Sequence, residues 1–394
     1  MGHYDFDRII DRKNTSCLKY DFGMQRKGRT DLLPMWVADM DFALPEEILE
    51  DFHKRIDHGI FGYTDPDAEY YAALDRWFSV HHGYHIQPEW VTLGCGVVYG
   101  LATGVKAFTE PGDAVLIQQP VYYPFREVIE DNGRKFVNSQ LHYENGKYTI
   151  DFTDFEQKIE DNNVKVFLLC SPHNPAGRVW TKEELTRLGD ICLKHGVIIL
   201  DDEIHCDFVY APHHFTSFLA LDEKYRDNLV VFNSPSKTFN VAGLQPGNII
   251  IPNKELRRRY RKANAAAGYS QGSIMGQVAV KSCYTKGDAW VKELVEYIAG
   301  NIAWVRDFVK ENLPKATFVE PEGTYLVWID FSGYGLSDEE LEHLVVDEAK
   351  LWLDSGKIFG PATAQFERFN MACPRATVEK AFHQLKDALE EKGL

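Results

Sequence analysis

The sequence predicts an α/β protein with a mostly parallel central sheet, helices on both faces of that sheet, and a smaller α+β domain. Helical patterns alternate with short, almost uninterrupted apolar runs, at 114–118, 164–169, 197–200, 229–232 and 248–251. Such runs are typical of parallel strands that are buried on both faces. The 394 residues are 44% apolar, which is enough for a large core and for more than one domain.

The elements before the first of these strands are an arm and two helices. Residues 1–45 are of mixed composition and predict an irregular arm. Pro45 begins a helix that runs to about residue 58, because proline is tolerated in a first helical turn. A turn at 61–65 leads to a second helix that ends near residue 82. The helical patterns beyond this point and before the second domain lie at 96–108, 125–132 and 181–195.

The composition changes after about residue 285, which predicts a second domain. A long helical pattern at 290–313 is followed by an apolar run at 324–329 and by two further helices, at 338–349 and 377–391. Helices and strands of this kind, without the regular alternation, indicate an α+β unit. We therefore expect a large domain at 46–285 and a small domain made of 286–394 with the arm 1–45.

Charge and composition exclude several classes of function. The chain has 59 acidic and 43 basic residues, a net charge of −16, which argues against nucleic acid or an anionic membrane as a partner. It has no apolar run of membrane-spanning length and no signal-peptide pattern at its first residues. Its seven cysteines are scattered and form no CxxC pair, which favours a reducing, cytoplasmic location over a disulfide framework or a zinc ribbon.

Lys237 is the most informative residue of the chain. It directly follows the apolar run 229–232 and lies among small hydroxyl residues, in the sequence Asn-Ser-Pro-Ser-Lys-Thr-Phe-Asn. Lysine amines form Schiff bases with carbonyl compounds, including pyridoxal phosphate. A lysine at the end of a buried strand is therefore a candidate for covalent catalysis.

Asp202 follows the strand predicted at 197–200. Carboxylates at the carboxyl ends of parallel strands lie in the crevice where α/β proteins bind ligands. Such a carboxylate can hold a pyridine nitrogen in its protonated form, which makes the ring a stronger electron acceptor. Two alternatives remain open: an acidic edge of a loop, or a metal site made of Asp201, Asp202, Glu203 and His205.

Three other segments have a candidate function beside an ordinary one. Asn174 lies between Pro172 and Pro175, so a stiff loop could aim its amide at a phenolate, although Asn-Pro is also common in turns. The glycine-rich segment 92–100 opens a helix whose free N–H groups could bind phosphate. We expect no strand of useful length before it, so it does not match the dinucleotide fingerprint. Tyr122 could stack on a flat cofactor or pack in the core.

Arg368 is the last candidate, near the end of the chain. A guanidinium forms a bidentate pair with a carboxylate, which suits an amino-acid substrate. The alternative is a surface arginine in a salt bridge.

Taken together, the phosphate loop, the aromatic residue, Asn, Asp, Lys and Arg occur in an order that resembles the fold-type I pyridoxal-phosphate enzymes of the aspartate aminotransferase superfamily. Within that superfamily, the chain resembles the cystathionine β-lyase, or carbon–sulfur lyase, branch over essentially its whole length. The segments that carry this resemblance are FDRIIDR (6–12), MWVADMDF (35–42), SPHNP (171–175), DEIH (202–205), SPSKTFN (234–240) and NMACPR (370–375).

The resemblance implies a role for each residue that would hold the cofactor. Lys237 resembles the lysine that binds pyridoxal phosphate covalently, and Asp202 resembles the partner of the ring nitrogen. We prefer Asp202 to Asp201 because the aspartate of the family has a second cofactor contact three residues later, which is His205 here. The remaining implied contacts are Asn174 on the phenolic oxygen, Tyr122 stacked on the ring, and Ser234, Ser236 and the amides of Val97 and Val98 on the phosphate.

The resemblance also implies substrate contacts and a partner subunit. Arg368 is similar to the clamp for the substrate α-carboxylate, with the backbone near Val37 and Ala38 beside it. Tyr122 or Tyr123 is placed to assist the departing thiolate. Tyr63 resembles the tyrosine that reaches the cofactor phosphate of the neighbouring subunit, so a homodimer is expected.

Two positions depart from the pattern of the family. Many aminotransferases carry an arginine on the phosphate eight residues after the lysine, and this chain has Gln245 there. The phosphate would then depend more on hydroxyl groups, backbone amides and Tyr63. The segment 360–366 lacks the glycines expected before Arg368.

The implied activity is α,β-elimination of L-cystathionine and related thioethers to a thiol such as homocysteine, pyruvate and ammonia. Lys237 would be the base that removes the Cα proton, and no metal is required. An aminotransferase is the first alternative, because the same cofactor and base serve both reactions. An additional role in binding a regulatory protein is an alternative of another class.

Overall fold

A computed structural model describes residues 2–394 of the chain. The α-helices are α1 (Gly23–Lys27), α2 (Glu46–Asp57), α3 (Ala68–His82), α4 (Val97–Phe108), α5 (Pro124–Glu130), α6 (Phe152–Asn162), α7 (Lys182–His195), α8 (Pro235–Thr238), α9 (Lys254–Ala266), α10 (Ile274–Lys286), α11 (Asp288–Asn312), α12 (Asp338–His343) and α13 (Arg375–Glu391). The strands are β1 (Leu33–Pro34), β2 (Val91–Cys95), β3 (Ala114–Ile117), β4 (Lys135–Asn138), β5 (His142–Glu144), β6 (Lys147–Thr149), β7 (Val166–Cys170), β8 (Ile198–Asp202), β9 (Leu229–Asn233), β10 (Pro246–Ile250), β11 (Thr317–Val319), β12 (Leu326–Asp330), β13 (Leu351–Trp352), β14 (Asp354–Ser355) and β15 (Phe366–Asn370).

The large sheet has seven strands in the order β2-β10-β9-β8-β7-β3-β4. The five strands from β9 to β4 are parallel, and β10 is antiparallel to both of its neighbours. This confirms the predicted mostly parallel sheet. Because Cys170 is in register with Asp202, and Asp202 with Phe232, the carboxyl ends of β7, β8 and β9 meet at one edge.

The prediction that no useful strand precedes the glycine-rich segment was wrong. β2 occupies Val91–Cys95 and pairs along its length with β10. Gly94 interrupts its apolar character because this position has no room for a side chain: a Cβ there would come within 2.6 Å of Ile249. Because of this glycine, β2 has no uninterrupted apolar run, and a search for such runs does not detect it.

Helix α4 packs tightly against the sheet and directs its first turn at the carboxyl edge. A Cβ at Gly100 would lie 2.9 Å from Phe232, and one at Gly104 would lie 2.8 Å from Leu200. Glycine at both positions lets the helix approach the strands closely. Gly96, with φ of +82°, makes the turn between β2 and the helix.

The C-terminal part of the chain contains a second, antiparallel sheet in the order β11-β12-β15-β14. The N-terminal arm joins this part, since β1 pairs in parallel with β13. The helix predicted at 338–349 begins as α12 and continues as a wider turn of π-helix at Leu344–Glu348. The domain boundaries at 46–285 and 286–394 stay a prediction. Within residues 2–394, no helix combines the length and apolar character needed to cross a membrane.

Candidate active site

A cavity of about 220 Å³ lies at the carboxyl edge of the large sheet. It brings together nine of the residues that the sequence singled out, from six separate segments of the chain. They are Ala38, Val97, Val98, Tyr122, Asn174, Asp202, His205, Ser236 and Lys237. Cys95, Gly96, Tyr99, Cys170, Ile204, Ala242 and Gln245 complete the wall.

Lys237 enters this cavity from the short helix α8, which directly follows β9. Ser234 caps that helix by accepting a hydrogen bond from the amide of Ser236, and Pro235 occupies the first helical position. The Lys237 Nζ donates to the backbone carbonyl of Ala38 at 2.7 Å. Burial lowers the pKa of Lys237 to about 8, so much of the amine is neutral near that pH.

Asp202 ends β8 and is buried, with Oδ1 accepting from the Ile204 amide at 3.1 Å. Burial raises the pKa of this carboxyl to about 7. Asp201 does not line the cavity, because successive side chains of a strand point to opposite faces. Burial, together with the nearby Glu203, raises the pKa of Asp201 well above its ordinary value. This placement supports the choice of Asp202 over Asp201.

The metal alternative for this segment requires four side chains that the structure separates. Asp202 and His205 face the cavity, whereas Glu203 accepts from the Ser217 hydroxyl at 2.5 Å on the other side of the strand. His205 is buried, and its Nδ1 has no hydrogen-bond partner. Burial holds the pKa of His205 well below its ordinary value, so the ring is neutral.

The candidate phosphate region lies at the start of α4. Val97 and Val98 follow Gly96 there, and the first N–H groups of a helix have no partner within the helix. Ser236 also reaches the cavity. Ser234 does not: it is buried behind the wall, where its Oγ lies 2.6 Å from Ser236 Oγ and donates to the Pro246 carbonyl at 2.7 Å. Its proposed contact with a phosphate is therefore not apparent in this structure.

Gln245 and Cys95 also line this region, and sequence reasoning did not single out Cys95. The Sγ of Cys95 donates to Oε1 of Gln245 at 2.8 Å. Lys237 is the one cationic side chain among the described residues that line the cavity. A bound phosphate would therefore depend on backbone amides and hydroxyl groups.

Arg368 lies beside the cavity on β15 and is buried. Its Nη1 donates to Asn174 Oδ1 at 2.8 Å and its Nη2 to the Trp36 carbonyl at 2.9 Å. Nη2 also forms an ion pair with Asp354, which lies opposite Arg368 on the neighbouring strand β14. Because the Asn174 oxygen is engaged by Arg368, the amide nitrogen of Asn174 is left to donate to a ligand in the cavity.

Asp354 is a residue of this region that sequence reasoning missed. It is buried, and burial raises the pKa of its carboxyl despite the opposing effect of Arg368. Its importance follows from the pairing of β14 with β15, which aligns it with Arg368. No local sequence pattern gives that register.

The arm contributes backbone carbonyls to the site along the segment 36–40. The carbonyls of Val37 and Asp39 both accept from the Asn370 Nδ2, each at 2.6 Å. The Ala38 carbonyl accepts from the Tyr325 hydroxyl at 2.8 Å and also from Lys237. Because the Trp36 carbonyl accepts from Arg368, the adjoining backbone at Val37 and Ala38 lies near that guanidinium, and its contact with a substrate stays a prediction.

Three tyrosines predicted for the site lie in different places. The Tyr122 ring lines the cavity, held by a hydrogen bond from its amide to the Asn174 carbonyl at 3.0 Å. The Tyr123 ring is 5.3 Å from that of Tyr122 and faces a neighbouring cavity. Tyr63 is 97% exposed in this single chain and does not line the cavity. Its role in a neighbouring subunit stays a prediction.

Several features of the cavity fit pyridoxal phosphate. His205 has an orphaned buried nitrogen, and Asp202 has a buried carboxylate whose one hydrogen-bond donor is a backbone amide. The amine of Lys237 has a lowered pKa, and the first turn of α4 has free N–H groups. The Lys237 amine matches the carbonyl of the cofactor, and Asp202 matches its pyridine nitrogen. His205 matches its oxygen substituent, and the free N–H groups of α4 match its phosphate.

Comparison with known proteins gives consistent matches over the whole chain. Cystathionine beta-lyase PatB of Bacillus subtilis is 42% identical over 385 residues, which are 98% of this chain and 100% of PatB. The crystal structure of cystalysin from Treponema denticola, which contains a pyridoxal 5′-phosphate cofactor, is 37% identical with a TM-score of 0.96 and covers 99% of both chains. The structure of the PLP-bound C-S lyase from Staphylococcus hominis is 33% identical with a TM-score of 0.91 and covers 98% of both chains.

The match to a protein family is equally extensive. Residues 30–385 match the family described as aminotransferase class I and II. This range contains the cavity, Arg368 and all of the strands that position them. The chain belongs to the aminotransferase class I and II family.

Proposed function

We propose that this chain is a pyridoxal-phosphate-dependent carbon–sulfur lyase that cleaves the Cβ–S bond of L-cystathionine and related cysteine thioethers. The products are a thiol, pyruvate and ammonia. The observation that carries the proposal is that Lys237 and Asp202 meet in one cavity, with the Arg368 guanidinium fixed beside it through Asn174. The identity to PatB, a cystathionine beta-lyase, supports the substrate class.

The residues of the cavity suit the separate parts of the cofactor. Lys237 would hold it covalently, Asp202 would pair with the ring nitrogen, and the Asn174 amide would donate to the phenolic oxygen. Ser236 and the first amides of α4 would bind the phosphate, while Tyr122 would stack on the ring. When bound, pyridoxal phosphate accepts the electrons that remain at Cα after a proton or a leaving group departs.

Lys237 is the base of the proposed reaction. Burial lowers its pKa to about 8, so the amine can accept a proton near the pH at which a cytoplasmic enzyme works. The Ala38 carbonyl holds Nζ at the cavity wall. An amine that is held in place, and that is about half neutral near pH 8, can take the Cα proton of a positioned substrate.

Arg368 would bind the α-carboxylate of the substrate. Asn174, Trp36 and Asp354 already hold the guanidinium, so little side-chain freedom is lost when substrate binds. A fixed carboxylate orients the Cα–H bond toward Lys237, and such positioning is a large part of enzymatic rate enhancement.

Tyr122 and Tyr123 suit the departure of the sulfur. Burial raises the pKa of both phenols, so both hydroxyl groups keep their proton at neutral pH. Either can therefore donate a hydrogen bond to a thiolate as it leaves Cβ.

The proposal includes a homodimer in the cytoplasm. Tyr63 lies in an exposed segment together with Ile60 and Phe61, which are 66% and 58% exposed. A second copy of the chain would cover this segment and would receive Tyr63 at its phosphate region. The scattered cysteines suit a reducing compartment.

The decisive experiment is incubation of the purified protein and cofactor with L-cystathionine, with and without 2-oxoglutarate. We expect thiol and pyruvate to form at the same rate in both reactions. A requirement for 2-oxoglutarate, with glutamate as a product, would instead identify an aminotransferase. The Lys237→Ala variant is the control for uncatalysed cleavage.

A further inference from the structure

A second cavity, of about 550 Å³, adjoins the site, and apart from Tyr122 and Tyr123 its residues have no role in the reaction described so far. Tyr122 lines both cavities, so the two share one wall. Tyr123, Ile358 and Gly360 lie on the wall of the second cavity. Phe359, between the last two, packs under Arg368, whose Cζ is 4.9 Å from the centre of its ring. The second cavity therefore begins next to the groups that would hold the amino-acid end of a substrate.

Some charged residues of this second cavity have hydrogen-bond partners within the described part of the protein, and others have none there. Arg126 forms two hydrogen bonds with Glu130, and Asp338 accepts from Gln365 at 2.6 Å. Glu127, by contrast, makes no side-chain hydrogen bond or ion pair within residues 2–394.

Lys357 is the second charge of the cavity that is available to a ligand. Its nearest carboxylate is that of Glu342, at 3.9 Å, which is beyond hydrogen-bond distance. The cavity thus presents one cation, Lys357, and one anion without a side-chain hydrogen-bond partner among the described residues, Glu127, to a ligand that enters it. Glu127 lies one helical turn after Tyr123, and its amide donates to the Tyr123 carbonyl at 3.4 Å, which places this anion near a phenol proposed to assist the thiolate.

We propose that this second cavity binds the leaving-group half of a thioether whose far end is itself an amino acid. Lys357 binds the far carboxylate and Glu127 binds the far ammonium group. The inference rests on the proposed lyase function and extends it, because it makes the preferred substrate a dipolar thioether such as cystathionine rather than an S-alkyl cysteine.

The test is a comparison of steady-state kinetics on four cysteine thioethers that differ only beyond the sulfur. Cystathionine carries both far charges, S-(3-carboxypropyl)cysteine only the carboxylate, S-(3-aminopropyl)cysteine only the ammonium, and S-propylcysteine neither. Lys357→Met and Glu127→Gln each remove one charge and keep most of the side-chain volume. Lys350→Met is the matched control, because Lys350 is as exposed as Lys357, at 53% against 52%, and has a similarly distant carboxylate at 3.8 Å.

We expect Lys357→Met to raise KM about tenfold for the two substrates with a far carboxylate and to leave the other two unchanged, since one charge-assisted hydrogen bond is lost. Glu127→Gln should do the same for the two substrates with a far ammonium group. Lys350→Met should change none of the four.

Two results would overturn the inference. One is a KM for cystathionine that stays at the wild-type value in both variants; the other is an equal loss on all four substrates, which indicates a structural effect. Failure of the proposed function is distinguishable from either result, because the wild-type protein would then cleave none of the four thioethers without a keto acid.

Discussion

Replacement of Arg368 by alanine tests both its contacts within the fold and its proposed role as the substrate clamp. The guanidinium donates to Asn174 and Trp36 and pairs with the buried Asp354. It would also bind the α-carboxylate of the substrate. The substitution should therefore damage both stability and catalysis, for different reasons.

The expected magnitudes follow from these contacts. Loss of two charge-assisted hydrogen bonds to the substrate costs about 3 kcal/mol, or about a hundredfold in kcat/KM. Loss of one member of a buried ion pair lowers the free energy of unfolding by about 3–5 kcal/mol while Asp354 is ionised.

The loss of stability should depend on pH. Burial already raises the pKa of Asp354, and without Arg368 only the charge of Lys27 opposes this effect. The folded variant then binds a proton that the unfolded chain has released, so its stability falls as the pH rises above the ordinary aspartate value of 3.8. Urea unfolding at pH 5 and pH 8, followed by circular dichroism, should show the larger deficit at pH 8.

A double variant, Arg368→Ala with Asp354→Asn, distinguishes the two tasks. It removes the unpaired charge, so we expect the pH-dependent part of the stability to return. The hundredfold loss in kcat/KM on cystathionine should remain, because no group replaces the carboxylate clamp. Recovery of kcat/KM in the double variant would refute the assignment of Arg368 to the substrate. An unfolding free energy of Arg368→Ala that is equal to wild type at pH 8 would refute the buried pair.

Three further predictions concern the cofactor and the assembly. Lys237→Ala should abolish both turnover and the mass increase that borohydride reduction produces in the holoenzyme; elimination near the wild-type rate would contradict the role of Lys237. In the cofactor-free enzyme, labelling of Lys237 by an amine-reactive reagent, followed by peptide mass spectrometry, should rise with pH about a midpoint near 8, because burial lowers the pKa of that amine; a midpoint near 10.5, its ordinary value, would show that the amine is solvated. An equal mixture of the inactive variants Lys237→Ala and Tyr63→Ala, refolded together, should recover about a quarter of wild-type activity, since half of the dimers gain one intact site; no recovery would mean that Tyr63 does not act across subunits.

The large sheet and the centre of the site could be predicted from the sequence because their signals are local. Each of the five apolar runs forms a strand. Lys237, Asp202 and Asn174 each follow such a strand, and parallel strands bring their carboxyl ends to one edge.

The parts that could not be predicted depend on contacts between distant segments. Asp354 becomes significant only through the register of β14 against β15. The strand β2 has a glycine where its neighbour comes too close for a side chain. The direction of Ser234 is set by the Pro246 carbonyl, twelve residues later in the chain. A hydroxyl next to the candidate Schiff-base lysine is therefore not sufficient evidence of a phosphate contact.

The segment 36–40 has a consequence for the order in which the protein can be completed during synthesis. Its carbonyls bond to Lys237, Arg368 and Asn370, and β1 pairs with β13 more than 300 residues later. Arg12 and Lys19 already pair with Asp39 inside the arm, but the contacts with Arg368, Asn370 and β13 cannot form until nearly the whole chain has been made. Contacts between such distant residues form slowly, because a long loop must close first. The proposed substrate clamp would thus be completed only at the end of folding, and a partly made chain would lack it.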